Sequence, residues 1–216
     1  MELNAKDLKA FFQFDVKKLD LLNTYFGDFE PRLRDREKDK HGKYIDNGFT
    51  GKYFEQYAKL SSPYSFDGND IAAVTCLSIR FDNHMVGSIS ALKSKLDTLI
   101  KKLPAPGKPI WEVSEDVFKK TSELSQIYDL LRDLDRVGSV TASKLLAAKR
   151  PYLVPIRDTE VAKLFGNPKV WWIPWFEAMQ DKGLRDCLEK YQKKAKLPHV
   201  SLLRIADVIL WMSATR

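Results

Sequence analysis

The chain is short of the residues that build metal and redox centres. Among its 216 residues stand two cysteines, Cys76 and Cys187, and three histidines, His41, His84 and His199. The cysteines sit in apolar helical surroundings with neither Cys-x-x-Cys nor Cys/His spacing, so they read as core thiols in a reducing compartment. Two cysteines cannot hold a four-cysteine iron–sulfur cluster. The scattered histidines, with no serine or cysteine nucleophile motif nearby, support neither a zinc site nor a Ser/His/Asp hydrolase. No metal and no cofactor is expected. No run approaches the ~20 apolar residues of a spanning helix, and the N-terminus Met-Glu-Leu-Asn-Ala-Lys-Asp lacks an apolar h-region. The expectation is a cytoplasmic protein without a membrane partner. There is no Gly-x-x-x-x-Gly-Lys phosphate loop, no repeat and no low-complexity tract.

Acidic residues are also in deficit. Against 36 Lys and Arg there are 29 Asp and Glu, a net charge of +7 with a pI near 9.2, which favours a polyanionic partner. Apolar residues are plentiful enough for one sizeable core, or for two small lobes sharing a cleft.

What the chain does have is helical periodicity, and it predicts an all-α fold of about ten helices in two lobes with a central cleft. The prolines and glycine of Pro104-Ala-Pro-Gly-Lys-Pro109 place the boundary between an N-terminal lobe, residues 1–103, and a second lobe, residues 110–216. Leu8, Phe11 and Phe12 mark a first helix; Asp15 caps a second through Leu19, Leu22 and Phe26. Residues 28–48 balance basic and acidic side chains and read as a solvated loop. Thr50 is expected to cap a short helix carrying Tyr53, Phe54 and Tyr57. The apolar stretch Asp70 to Ile79 reads as a central helix buried on all sides. A single long amphipathic helix is expected from Val86 to Leu103. Ser114 caps a short helix, and Trp171, Trp172 and Trp175 read as packing anchors. Gly183 to Ala195 carries a basic stripe through Lys190, Lys193 and Lys194. Ser201 caps a C-terminal core helix in which Asp207 pairs locally.

The densest signal lies between residues 123 and 166. Leu124, Ile127, Leu131 and Leu134 keep helical spacing; Ala142, Leu145 and Leu146 resume it. Between them runs Leu134-Asp-Arg-Val-Gly-Ser-Val-Thr-Ala142. Gly138 can take a positive φ that turns backbone N–H groups outward at the start of the second helix, a concavity suited to phosphate. Val154-Pro155-Ile156-Arg157 must be extended before Asp158, which is placed to cap a helix from Thr159 to Phe165 closed by Gly166 and Pro168.

Leu-x-x-Val-Gly-x-x-Thr-Ala, followed about twenty residues later by Asp-Thr-x-Val, resembles the helix-hairpin-helix superfamily of DNA glycosylases, and is similar to an uncharacterised bacterial branch of it. The resemblance implies that Arg136, Val137, Gly138, Ser139, Val140, Thr141 and Lys144 contact the phosphate backbone of double-stranded DNA and that Asp158 is the catalytic carboxylate. The chain departs from the superfamily's Leu-Pro-Gly-Val-Gly at Asp135-Arg136, and Val140 stands where bifunctional members keep a lysine nucleophile. The implied activity is therefore a monofunctional DNA glycosylase, a hydrolase without lyase activity. It would be a monomer that excises a damaged or modified base in repair or antiviral defence. A flipped base wants an aromatic face and a polar edge-reader, for which Tyr53, Glu55 and Trp172 are candidates. Two other readings stand beside this one: a non-catalytic helix-hairpin-helix DNA-binding module of a repair or defence complex, in which Asp158 is only a cap, and a helical protein–protein scaffold.

Overall fold

Short polar residues set the helix starts in the computed structural model, which describes residues 3–29 and 48–215. Asn4 caps α1 (Ala5–Phe11), Asp15 caps α2 (Val16–Tyr25), Asp67 caps α4 (Gly68–Cys76) and Asp82 caps α5 (Asn83–Ala91). Ser122 caps α7 (Glu123–Arg132), Asp158 caps α9 (Thr159–Leu164) and Asp181 caps α11 (Lys182–Lys194). In each case a side-chain oxygen accepts an otherwise unpaired first-turn N–H. The remaining helices are α3 (Phe54–Leu60), α6 (Lys93–Ile100), α8 (Gly138–Lys149), α10 (Trp172–Gln180) and α12 (Leu202–Thr215). Among the described residues there are twelve α-helices and no strand, so the fold is all-α. The charged stretch 28–48, expected as a solvated loop, lies from 30 to 47 outside the described residues.

Two helices form the centre. Residues 141–150 and 201–210 are buried without a break. α8 packs on α4, α7 and α3, while α12 packs on α2, α9 and α11. The buried apolar side chains join in one cluster running from Leu3 to Met212. The helix expected at the centre, α4, buries only Asp70, Ala73 and Val74, and Thr75 faces solvent. The complete burial of α8 escapes notice in the sequence because Lys144 and Lys149 interrupt its apolar residues; both cations find buried partners instead of solvent. The helix expected from Val86 to Leu103 is broken at Leu92, whose N–H is shared between the Ser88 and Ile89 carbonyls. Thr50 caps nothing. Its hydroxyl donates to the Cys76 carbonyl at 2.8 Å, tying the 3-10 turn Thr50–Tyr53 to the end of α4.

The last turn of α8 is pinned by its two cations. Lys149 pairs with Asp70 at 2.5 Å and donates to the Ser62 carbonyl at 2.8 Å. Arg150 donates to the carbonyls of Pro104, Pro63 and Ile100 at 2.8, 2.7 and 3.0 Å. Burial pushes Lys149 and Arg150 down from their ordinary pKa values and Asp70 up, and the ion pair and hydrogen bonds favour the charged forms against that cost. Positive charge at a helix C-terminus is also favoured by the helix dipole. Anchored at this end, α8 presents its other end rigidly to the candidate site.

Candidate functional site

α7 and α8 are joined by a turn with two left-handed residues, Arg136 and Gly138, each at φ +64°. Between them Val137 stays helical and buried. Arg136 thus holds, with a side chain present, a conformation that glycine adopts freely. Its guanidinium donates to Asp82, the cap of α5, at 2.6 Å, which fixes the turn against a second helix. Val137 gives α8 no side-chain cap, so the first N–H groups of this twelve-residue helix are left to solvent or a ligand.

Side chains on the opening turns of α8 fall into two rows. Val140 and Lys144, four residues apart, line one cleft; Ser139 and Ser143 line another. The extended segment before α9 alternates in the same way. Ile156 and Asp158 face the first cleft and Arg157 faces the second, as the two-residue period of extended chain requires.

The first cleft encloses about 340 Å³. Asp158 stands in its wall with both carboxylate oxygens engaged. Oδ1 accepts the Glu160 N–H at 2.9 Å as the cap of α9, and Oδ2 forms an ion pair with Lys144 Nζ at 3.1 Å. Lys144 donates also to the Leu77 carbonyl at 3.1 Å. This corrects the expected role of Lys144. One helical turn beyond Val140 the row has turned inward, so its amine serves the cleft and is buried away from any phosphate on the surface.

Behind Asp158 lies a buried charge cluster built on Arg204. Its guanidinium donates to Glu55 Oε1 at 3.0 Å, the Tyr25 hydroxyl at 2.6 Å, the Gly51 carbonyl at 3.2 Å, and Asp207. The rings of Tyr25 and Phe54 lie within 5.2 and 5.3 Å of it. One guanidinium faces two carboxylates. Burial lifts the Asp207 carboxyl to about 6 despite Arg204, and the nearby charge of Asp158 adds to the rise. Burial works against the Arg204 charge as well, yet Tyr25, Glu55 and Asp207 together hold it above its ordinary value. Glu55 Oε2 is buried with no hydrogen-bond partner among the described residues.

Three aromatic rings complete the wall. Tyr25 stacks on Phe49 at 5.2 Å, and Trp211 meets Phe49 edge-on at 5.8 Å.

The expected base-pocket residues are not gathered at Asp158. Tyr53 packs edge-on against Phe29 beneath Lys52, Glu55 is committed to Arg204, and Trp172 contacts Tyr128 in the second cleft. Spacing along the chain could not reveal this, because helix packing decides which faces meet. The residues that do surround Asp158 and that sequence reasoning missed are Tyr25, Phe49, Arg204 and Trp211. A signal existed for one of them: Arg204 and Asp207, three apart in an apolar helix, mark a charge pair that must be satisfied internally.

Among the described residues no group of three or more His, Cys, Asp or Glu is placed to hold a metal, and no helix is long and apolar enough to cross a membrane. No curated protein and no solved structure matches the chain. Residues 19–214, which include every residue of the cleft around Asp158, match the family described as "Family of unknown function (DUF6308)", and the chain belongs to that family.

Proposed function

We propose that this protein is a monofunctional DNA glycosylase that hydrolyses the N-glycosidic bond of a damaged or modified base flipped from duplex DNA. One observation carries the reading: Asp158 stands in a cleft at the foot of the helix whose left-handed turn and uncapped N-terminus suit phosphate. The bond to be cut lies inside the base stack, so the nucleotide must leave it at a cost of a few kcal/mol. Phosphate contacts at the turn offset that cost. The cleft volume falls in the range of small-molecule sites, and the partly exposed Trp211 in its wall offers an aromatic surface to an extruded base. Departure of the base leaves positive charge spread over the sugar ring, as in glycoside hydrolysis. An ionised carboxylate in a cleft from which the substrate excludes water stabilises that charge where it develops. Lys144, paired with Asp158 and donating to the Leu77 carbonyl, holds the carboxylate in place.

The direct test is incubation of the purified protein with duplexes carrying alkylated, oxidised, deaminated or hypermodified bases. Excision should leave an intact strand that breaks only after alkali. Borohydride present during turnover should trap no covalent adduct. An adduct that disappears in Lys144→Met would make that amine a Schiff-base nucleophile and end the monofunctional reading.

A second prediction concerns the turn. Duplex binding should be tolerant of sequence and weaken steeply with salt, because phosphate contacts release counterions. A Cβ at Gly138 would meet nothing within 4 Å, so any penalty there comes from φ alone. Gly138→Val should therefore cost about 1–2 kcal/mol and lower duplex affinity, whereas Gly138→Asn, which tolerates the left-handed region, should keep both near the parent. Equal anisotropy titrations and equal urea midpoints for the valine and asparagine variants would remove the turn from the binding surface.

A non-catalytic DNA-binding module is the second reading. It is favoured by one fact: both Asp158 oxygens already have protein partners. Salt-sensitive duplex binding without release of any base would establish it in place of the glycosylase.

A further inference from the structure

The second cleft, on the far side of α8, encloses about 590 Å³. Four cations line it, Lys120, Arg132, Arg157 and Lys169, against the single carboxylate of Asp129. Arg132 is committed to Asp129 and Asp133, and Arg157 donates to the Pro168 carbonyl at 3.3 Å. Lys120 and Lys169 are exposed and have no carboxylate partner among the described residues. Between these charges the half-buried Trp172 meets Tyr128 edge-on, with centroids 5.1 Å apart. Cations spaced around accessible aromatic rings are the pattern that holds single-stranded nucleic acid, where bases stack on rings and the backbone follows the positive charge. An acidic peptide would use the cations but would gain nothing from the rings.

Position strengthens the argument. Ser139 and Ser143 in this cleft share the opening turns of α8 with Val140 and Lys144 in the other, and Arg157 directly precedes Asp158. A strand gripped at the α7–α8 turn has both clefts within reach. We propose that this second cleft is a subsite for an unstacked nucleotide of the bound nucleic acid, its base on Trp172 and Tyr128 and its flanking phosphates on Lys120 and Lys169. The inference rests on the reading that the α7–α8 turn binds nucleic acid; it does not require that a base be excised.

The test is binding of fluorescently labelled hexathymidylate at low salt by the parent, by Trp172→Leu and by the double variant Lys120→Gln, Lys169→Gln. Trp172→Leu should weaken binding roughly tenfold or more, the loss expected for a stacked base. The lysine pair should lower the slope of log affinity against log salt by about 1.4, since each phosphate contact on a single strand contributes about 0.7. Because both lysines are exposed, their variant remains informative if Trp172→Leu unfolds. Parent affinity and parent salt slope in the lysine variant would overturn the subsite. So would a parent that does not bind hexathymidylate, or equally tight binding of a polyglutamate peptide of the same charge. If hexathymidylate binding depends on these residues while no base is released from any duplex, the subsite stands and the glycosylase reading alone is lost.

Discussion

Asp158→Asn is expected to bind duplex DNA like the parent and to release base at least ~10²-fold more slowly. The substitution separates the roles of this side chain because it preserves shape. An asparagine oxygen can still accept the Glu160 N–H that begins α9, so the cap survives. Its amide nitrogen replaces Oδ2 and faces the Lys144 ammonium donor to donor, so that buried cation loses its counter-ion and a stability loss of about 1–3 kcal/mol follows. Such a loss leaves a protein of ordinary stability folded. The negative charge beside the developing sugar cation is removed outright, and a well-placed electrostatic partner is commonly worth two or more orders of magnitude in rate. Single-turnover excision measured together with duplex affinity resolves the two contributions. Parent-like excision by a folded Asp158→Asn protein would leave the carboxylate as a cap and an ion-pair partner, and the DNA-binding module as the better account.

Arg204→Leu is expected to destabilise the fold by about 3–5 kcal/mol at pH 8, enough to take a large part of a typical domain's stability. Among the described residues the guanidinium is the only cation bonded to Glu55 and Asp207, and it also binds Tyr25 and Gly51, joining α12 to α2, α3 and the 3-10 turn before α3. Without it two carboxylates stay buried, and Glu55 Oε2 already lacks a partner among the described residues. Arg204→Lys should recover only part of the loss, because one ammonium cannot reach the four acceptors that the planar fork serves. The deficit should shrink as pH falls. Asp207 in the folded protein keeps its proton up to about pH 6, whereas the unfolded chain releases it near 3.8. Within that window the folded state binds more protons, so acid favours it, and the advantage is lost as pH rises through 6. Removing the cation widens the window. Urea midpoints for the parent and Arg204→Leu at pH 5 and pH 8 would show this; a parent-like midpoint at pH 8 would mean that the cluster is not a keystone of the core.

The sequence alone determined those features whose cause lies within a few residues. Asp15, Ser114, Asp158 and Ser201 were legible as caps because a cap is a bond between a side chain and an N–H two or three residues away. The all-α class followed from apolar spacing, and the turn at Gly138 followed from the one residue that takes positive φ freely. Tertiary structure decided everything that depends on which faces meet. The cleft joins Tyr25, Phe49, Lys144, Asp158, Arg204 and Trp211, which no local pattern connects. Lys144 looked like a surface cation until Asp158 and the Leu77 carbonyl supplied it with buried partners, and the same holds for Lys149 with Asp70. Tyr53, Glu55 and Trp172 lie on different faces of the packed helices and are not gathered at Asp158. The physical reason is common to all of these: a cap or a periodicity is fixed by neighbours along the chain, whereas a buried charge is tolerated only where packing brings up a partner from far away in the chain.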